Sequence, residues 1–509
     1  MIDIRVKRSV LFNTFSDSEK EKFFSMKAHK FIHHIDTLYY TVFLKYDTKE
    51  GSPGELDKLI EIFEELKINT EKTGEAQWWD YDTGHVFTRC SYGCYGFCIS
   101  LPNYYDVFFS RNLPNNNTPR ICVQLRSIGL WELGEYVLLK KSLDFVRELI
   151  TLFNCEIVKT QENRIDYCYH TNAIQNPMDF FSDSCLANNC YTHLEIYNKV
   201  GRKVGKNLTV EYLSLGQRES NNIFFRTYNK VREVIEKGYK GFFLEFWFNV
   251  GLINYYDYWI YLYSYNKRNY NSIYKGMLEF YVKFSNESDF KDLKNHEVIN
   301  FFKSALQKDT YTYNDYRKIA LEYLPAPTSI INIEFQTMRK FYYYADNLID
   351  TFPISTKLED WELLKIFRIL DNRKIFLDYL TCNVVKFCKA NDETIYLDFW
   401  KRLRACRVKK TINAKFKRDY SKQPDINLLI TKFRNTMATF SLYQGNFDTS
   451  IEEDLSCILL NVLSDNTVEY NDGILDCYDF KYNKIKKKKE KALASFLKKA
   501  PKTLSENNK

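Results

Sequence analysis

The 509-residue chain contains no run of about 20 apolar residues, so no transmembrane helix is expected. Its first stretch, MIDIRVKRSVLFNTFSDSEKEK, lacks an apolar core followed by a small-residue cleavage site, so a cytoplasmic protein without membrane partners is expected. The 13 cysteines form no compact framework, and an odd count in a long chain fits reduced thiols better than disulfides. Cys90, Cys94 and Cys98 recur every four residues but lack the CxxC pairs of a zinc knuckle. There is no His-x-His pair, and the adjacent His33 and His34 would point to opposite faces of a strand. The run GRKVGK from Gly201 to Lys206 has its glycines too close for a P-loop, and Asn207 replaces the hydroxyl that would hold Mg²⁺. An ATPase motor is therefore not supported.

What is present begins with charge. The net charge of +8 is modest but clustered. Residues 401–418, KRLRACRVKKTINAKFKR, hold nine Lys or Arg and no acid, which suits contact with a DNA backbone through Lys401, Arg402, Arg404, Arg407, Lys409 and Lys410. A second cluster, at 484–499, reads equally as a solvated tail. The 39 Tyr and 39 Phe accompany abundant Asn, Lys and Ile, a mixture that an AT-rich genome encodes, so aromatics alone mark no base-stacking surface.

Residues 35–46 read as a strand, and SPGE at 52–55 then opens an amphipathic helix carrying Leu56, Leu59, Ile60 and Phe63. Short β segments follow from 77 to 126, and Ser142 is read as the cap of a helix whose buried stripe is Leu143, Val146, Leu149, Ile150 and Phe153. In 164–170, RIDYCYH, apolar and polar residues alternate, as they do in 208–215, 223–230 and 242–250. Strands with one apolar and one polar side predict an α+β fold, an antiparallel sheet with helices on one face and a functional surface on the other. Beyond about residue 270 the texture turns helical. This divides the chain into a sheet domain over 1–265 and a helical, basic region over 266–509 with a Lys-rich tail, itself divided near 325–330.

The most informative stretch is 223–230, IFFRTYNK, where strand alternation sets Arg226, Tyr228 and Lys230 on one face. A phenol of pKa near ~10 needs such cations to attack a phosphodiester, because positive charge favours the phenolate and binds phosphate. Tyr197, in the similar fragment IYNK, is the competing nucleophile.

Gly216-Gln-Arg-Glu-Ser220 followed by Arg226-Thr-Tyr-Asn-Lys230 and Glu233 resembles the GSRxS…RxYxKxxE pattern of the Rep_trans family of rolling-circle replication initiators and related relaxases. Arg164-Ile-Asp166 resembles that family's RxDxAxD strand, and Phe243-Leu-Glu245 its later R-x-E strand. Gln217 departs from the usual Ser, and His170 stands where the second Asp would be. The resemblance covers roughly residues 30–260. It implies an HUH-related nuclease domain in which a tyrosine nicks one DNA strand at an origin, giving a 5′-phosphotyrosyl link and a free 3′-OH. On that reading Tyr228 is the nucleophile assisted by Arg226 and Lys230. Asp166, Glu245 and His170 hold Mg²⁺ or Mn²⁺, and Arg164, Arg218 and Ser220 contact DNA. Expected partners are origin duplex and single-stranded DNA, a second copy of the chain, and a host helicase and polymerase. His193 is a further candidate ligand. Replication of a plasmid, mobilisation by a relaxase, and a non-catalytic DNA-binding protein on the same fold are the alternatives carried forward.

Overall fold

The computed structural model describes residues 30–45, 54–73, 77–89, 95–110, 121–174, 186–188, 194–197, 212–216, 222–284, 296–353, 360–389, 392–411 and 414–416. The chain divides into two compact units, Met1–Arg418 and Asp419–Lys509, and every described residue belongs to the first. The fold is α+β, built on a large antiparallel sheet.

The strands are β1 (Phe31–Lys45), β2 (Gln77–Asp80), β3 (His85–Arg89), β4 (Tyr95–Leu101), β5 (Tyr105–Ser110), β6 (Ile121–Leu125) and β7 (Glu156–Thr171). After these come β8 (Leu186–Asn188), β9 (Leu194–Tyr197), β10 (Tyr212–Leu215), β11 (Ile223–Asn229), β12 (Ile331–Met338), β13 (Val385–Lys389) and β14 (Asp392–Tyr396). Eleven of them form one sheet in the order β2-β3-β4-β5-β6-β1-β7-β12-β11-β10-β9. Its long central pair, β1 and β7, runs antiparallel with breaks in register, one of them between Ile35 and Thr37.

Period-two patterning explains how the sheet sits. Ile165, Tyr167 and Tyr169 of β7, Ile333 and Phe335 of β12, and Ile223 and Phe225 of β11 are buried in one core with Leu138, Leu139, Leu143 and Val146. The last four lie on a helix that runs from Gly134 to Thr151, so it starts earlier than the sequence suggested. Ser142 is not its cap. It sits mid-helix with its hydroxyl 2.8 Å from that of Tyr40, fixing the helix to β1, and it donates to the Leu139 carbonyl. The Leu59–Phe63 stripe expected after residue 55 lies in helix Gly54–Thr73, with both residues in the same core.

Between β11 and β12 the chain builds a bundle: α1 (Lys230–Lys237), α2 (Phe242–Asn249), α3 (Tyr255–Asn266), α4 (Ile273–Phe284), α5 (His296–Leu306) and α6 (Tyr313–Tyr323). These helices share a separate core that includes Val234, Phe243, Trp247, Tyr256, Met277 and Phe302. Asn254 and Asp257 form a capping box at the start of α3, and the buried Asp257 also accepts the Thr328 amide at 2.9 Å. The chain then returns to the sheet, with β12 lying between β7 and β11, so the sheet draws on residues from both sides of the boundary expected near 265. Residues expected to form a strand over 242–250 are α2 instead. Phe243, Leu244 and Trp247 give it a buried stripe at helical spacing, which a nearly continuous apolar run cannot distinguish from a strand.

Leu143→Ala empties a fully buried site and is expected to lower stability by about 3 kcal/mol, read from the urea midpoint at unchanged slope.

Candidate functional site

The polar face of the sheet is organised by register. Tyr212, Tyr228, Asn332 and His170 lie opposite one another across β10, β11, β12 and β7. The next row joins Ser214, Arg226, Glu334, Cys168 and His34. Directly opposed residues of antiparallel strands share a face, so these side chains form one surface.

Tyr228 lies one residue before the end of β11 on that surface, and Lys230 begins α1 with its side chain folded back, its Nζ 3.2 Å from the Tyr228 hydroxyl. The Arg226 guanidinium lies 5.2 Å from the Tyr228 ring centre and the Lys230 ammonium 5.5 Å. The side chains of Arg226, Tyr228 and Lys230 are therefore together. Burial pushes the Tyr228 phenol well above its ordinary range; Lys230 and Arg226 pull the other way, and Glu233 and Glu334 add to the rise. The resting group is a neutral phenol.

Carboxylates balance the cations. Arg226 pairs with the fully buried Glu334 at 2.6 Å, and Asn332 donates to the other Glu334 oxygen at 3.1 Å. Lys230, with no exposed surface, pairs with Glu233 at 2.8 Å, and Glu233 also takes Lys240 at 2.9 Å. Glu334 lies outside the sequence reading, although the alternation of Ile331, Ile333 and Phe335 with Asn332, Glu334 and Gln336 marks a strand with a polar side.

One end of the polar face is roofed, so the helices do not all lie on the apolar side. Trp131 lies tilted 4.0 Å from the His34 ring and stacks 5.5 Å from the His170 ring, while Phe243 and Trp247 of α2 close in on His170. The Trp247 indole donates to His170 Nδ1 at 3.1 Å, and the two histidines approach at 3.4 Å between Nε2 atoms. Next to them His34, Asp36 and Cys168 offer three donor atoms within 4.8 Å of one another. Ser127 donates to Asp36 at 2.7 Å. Asp36 also lines a cleft of about 360 Å³ with Arg126, Ser127, Tyr239 and Lys240.

The ligands expected for the metal are not gathered around one point. Asp166 shares the polar face but is held by both nitrogens of the Arg164 fork, at 2.8 and 2.5 Å. Glu245 is exposed on α2, away from any strand. His170 turns Nδ1 to Trp247. Among the described residues the cluster able to hold an ion is His34, Asp36 and Cys168. The sequence signal for it was His34-x-Asp36, two polar residues at strand spacing.

Arg218, Ser220, His193, Cys90, Cys94, the run 201–206 and the tail at 484–499 lie outside the described residues. Tyr197 is in β9, opposite Tyr212. Among its described residues the basic segment is helical through Asp398–Arg404 and irregular after it. Lys401, Arg402, Arg407 and Lys410 are exposed, whereas Arg404 covers the Tyr396 ring at 4.5 Å and Lys409 pairs with Asp371. No helix among the described residues is long and apolar enough to cross a membrane.

Neither a protein-family model nor a curated protein matches the chain. A solved structure, that of the rolling circle replication initiator protein from Geobacillus stearothermophilus, aligns with 75% of this chain and 100% of its own at 12% identity and a TM-score of 0.33. An alignment at that level carries no functional inference for this chain.

Burial alone would raise the Glu233 carboxyl, but Lys230 and Lys240 outweigh it and hold the group well below the usual carboxylate range. Its stabilising effect is therefore complete above the unfolded pKa and lost as pH falls through the folded one. Glu233→Gln, which strands a buried ammonium, is expected to cost about 3 kcal/mol at pH 7. It should also flatten the loss of stability that the unaltered protein shows below about pH 4.5, as followed by urea unfolding across pH.

Proposed function

We propose that this protein is a DNA strand transferase that nicks one strand through Tyr228 to start rolling-circle replication. The observation that carries the reading is the Tyr228 hydroxyl at 3.2 Å from a buried lysine, with an arginine against its ring. In the reaction the phenolic oxygen forms a bond to phosphorus while the bond from phosphorus to the 3′ oxygen breaks. The phenolic proton passes to solvent and the departing 3′ oxygen takes one up, leaving a 5′-phosphotyrosyl link and a free 3′-OH for a polymerase. Lys230 and Arg226 stabilise the charge that builds on the phenol and the phosphoryl oxygens, a role that a fixed and largely desolvated pair of cations performs at little reorganisation cost. A divalent ion, when bound, adds neutralisation of the phosphoryl oxygens.

Binding and chemistry separate along the chain. The exposed Lys401, Arg402, Arg407 and Lys410 suit phosphate contacts, which set affinity and position without reading sequence. This segment would share in recognition of the origin duplex, and a relaxase would use the same chemistry at Tyr228.

Tyr228→Phe keeps the ring and loses the nucleophile. It is expected to abolish the covalent protein–DNA adduct on an oligonucleotide from the DNA beside the gene while leaving binding intact. Tyr197→Phe is expected to retain the adduct. An adduct that survives in Tyr228→Phe would overturn the assignment, and no adduct from the unaltered protein would leave a DNA-binding role alone. Lys401→Ala with Arg402→Ala is expected to weaken DNA binding regardless of sequence and to reduce the salt slope by up to about 2, measured by titration at several salt concentrations.

A further inference from the structure

We propose that His34, Asp36 and Cys168 bind a thiophilic divalent transition ion, of the zinc or cobalt class, in preference to Mg²⁺. The placement follows from the sheet. His34 and Cys168 are directly opposed across β1 and β7, and Asp36 sits at the register break between Ile35 and Thr37. One donor atom from each, all within 4.8 Å of one another, leaves room for an ion that draws them inward.

The surroundings fit a ligand set. The His34 ring is fixed between the Trp131 ring at 4.0 Å and the His170 ring at 4.6 Å, which holds it beside the Asp36 and Cys168 donors. Cys168 has no exposed surface and Asp36 very little, so water does not compete freely for either. Ser127 orients the Asp36 carboxylate through Oδ1, the kind of outer contact that positions a metal ligand. Trp131 and the His170 ring enclose His34, and the cleft lined by Asp36 provides an entry path and a place for a further ligand. Lys230 and Lys240 oppose a cation here, but Glu233 is paired to both.

The donor chemistry selects the ion. A thiolate, an imidazole and one carboxylate are the mixture that zinc and cobalt take in a tetrahedral site with one open position, whereas Mg²⁺ demands an oxygen shell. Binding breaks the Cys168 S–H bond and forms a sulfur–metal bond, and the proton goes to solvent. Asp166 and Glu245 take no part.

The experiment uses the full chain, freed of metal with a chelator and titrated with Co²⁺. The expected result is a sulfur-to-cobalt charge-transfer band in the near ultraviolet that saturates at one equivalent, is displaced by Zn²⁺ and survives excess Mg²⁺. Cys168→Ala is expected to lose the band and Cys155→Ala to keep it. His34→Ala and Asp36→Asn are each expected to weaken cobalt binding by at least about tenfold. Absence of the band in the unaltered protein, its persistence in Cys168→Ala, or displacement by Mg²⁺ would each overturn the assignment, whether or not any variant folds poorly. The assignment stands apart from the nicking reading, since a cobalt band without a DNA adduct would support this site and remove that function.

Discussion

A buried ammonium governs this molecule. Lys230 lies where β11 becomes α1, has no exposed surface, and touches the Tyr228 hydroxyl, the Glu233 carboxylate and the face of Phe243. A lone charge in that position would be prohibitively costly, so the carboxylates around it are a condition of folding. Each side chain that balances Lys230 also fixes another piece: Glu233 holds Lys240 at the mouth of the Asp36 cleft, and Phe243 belongs to the aromatic roof over His170. The same reasoning applies one row along the sheet, where Arg226 is tolerated because Glu334 lies opposite it in register.

Much of this was legible in the sequence wherever period two was unbroken. RTYNK gave the right face for Arg226 and Tyr228, and RIDYCYH gave the right face for Asp166, Cys168 and His170, because one side of each strand must be apolar to meet the helices. The antiparallel α+β architecture follows from the same alternation. The pattern loses its meaning where burial is all-round. FFLEFWFN is apolar at almost every position, so Glu245 looked like the polar side of a strand when it is the solvent side of a helix.

Two further features depend on distant pairing and could not be read locally. INIEFQTM alternates well, but it follows the helical bundle, and only its insertion between β7 and β11 reveals Glu334 as the partner of Arg226. His34 drew attention only as half of an adjacent histidine pair. Its relevant neighbour in sequence is Asp36, and its relevant neighbour in space, Cys168, is brought there by β7.

The bundle between β11 and β12 has a consequence for how such a protein can change. Its two ends meet at one point, where the Lys230 amide donates to the Ile330 carbonyl at 2.8 Å, just as the two strands of a hairpin meet at their turn. The bundle is therefore an enlarged turn with its own core, and its base is tied to the sheet also where the Lys30 ammonium donates to the Val250 carbonyl at 2.8 Å and the Asn172 side-chain amide to the Leu252 carbonyl at 2.9 Å. Loop-closure cost grows only slowly with length, so what lies beyond that base can be lengthened, trimmed or exchanged while the strand register beneath it is kept. Its first two helices carry Lys230, Glu233, Phe243 and Trp247, which gather at the polar face of the sheet. The outer helices α3 to α6 meet within that separate core, so a change among them is felt first by the bundle and only then by the strands beneath.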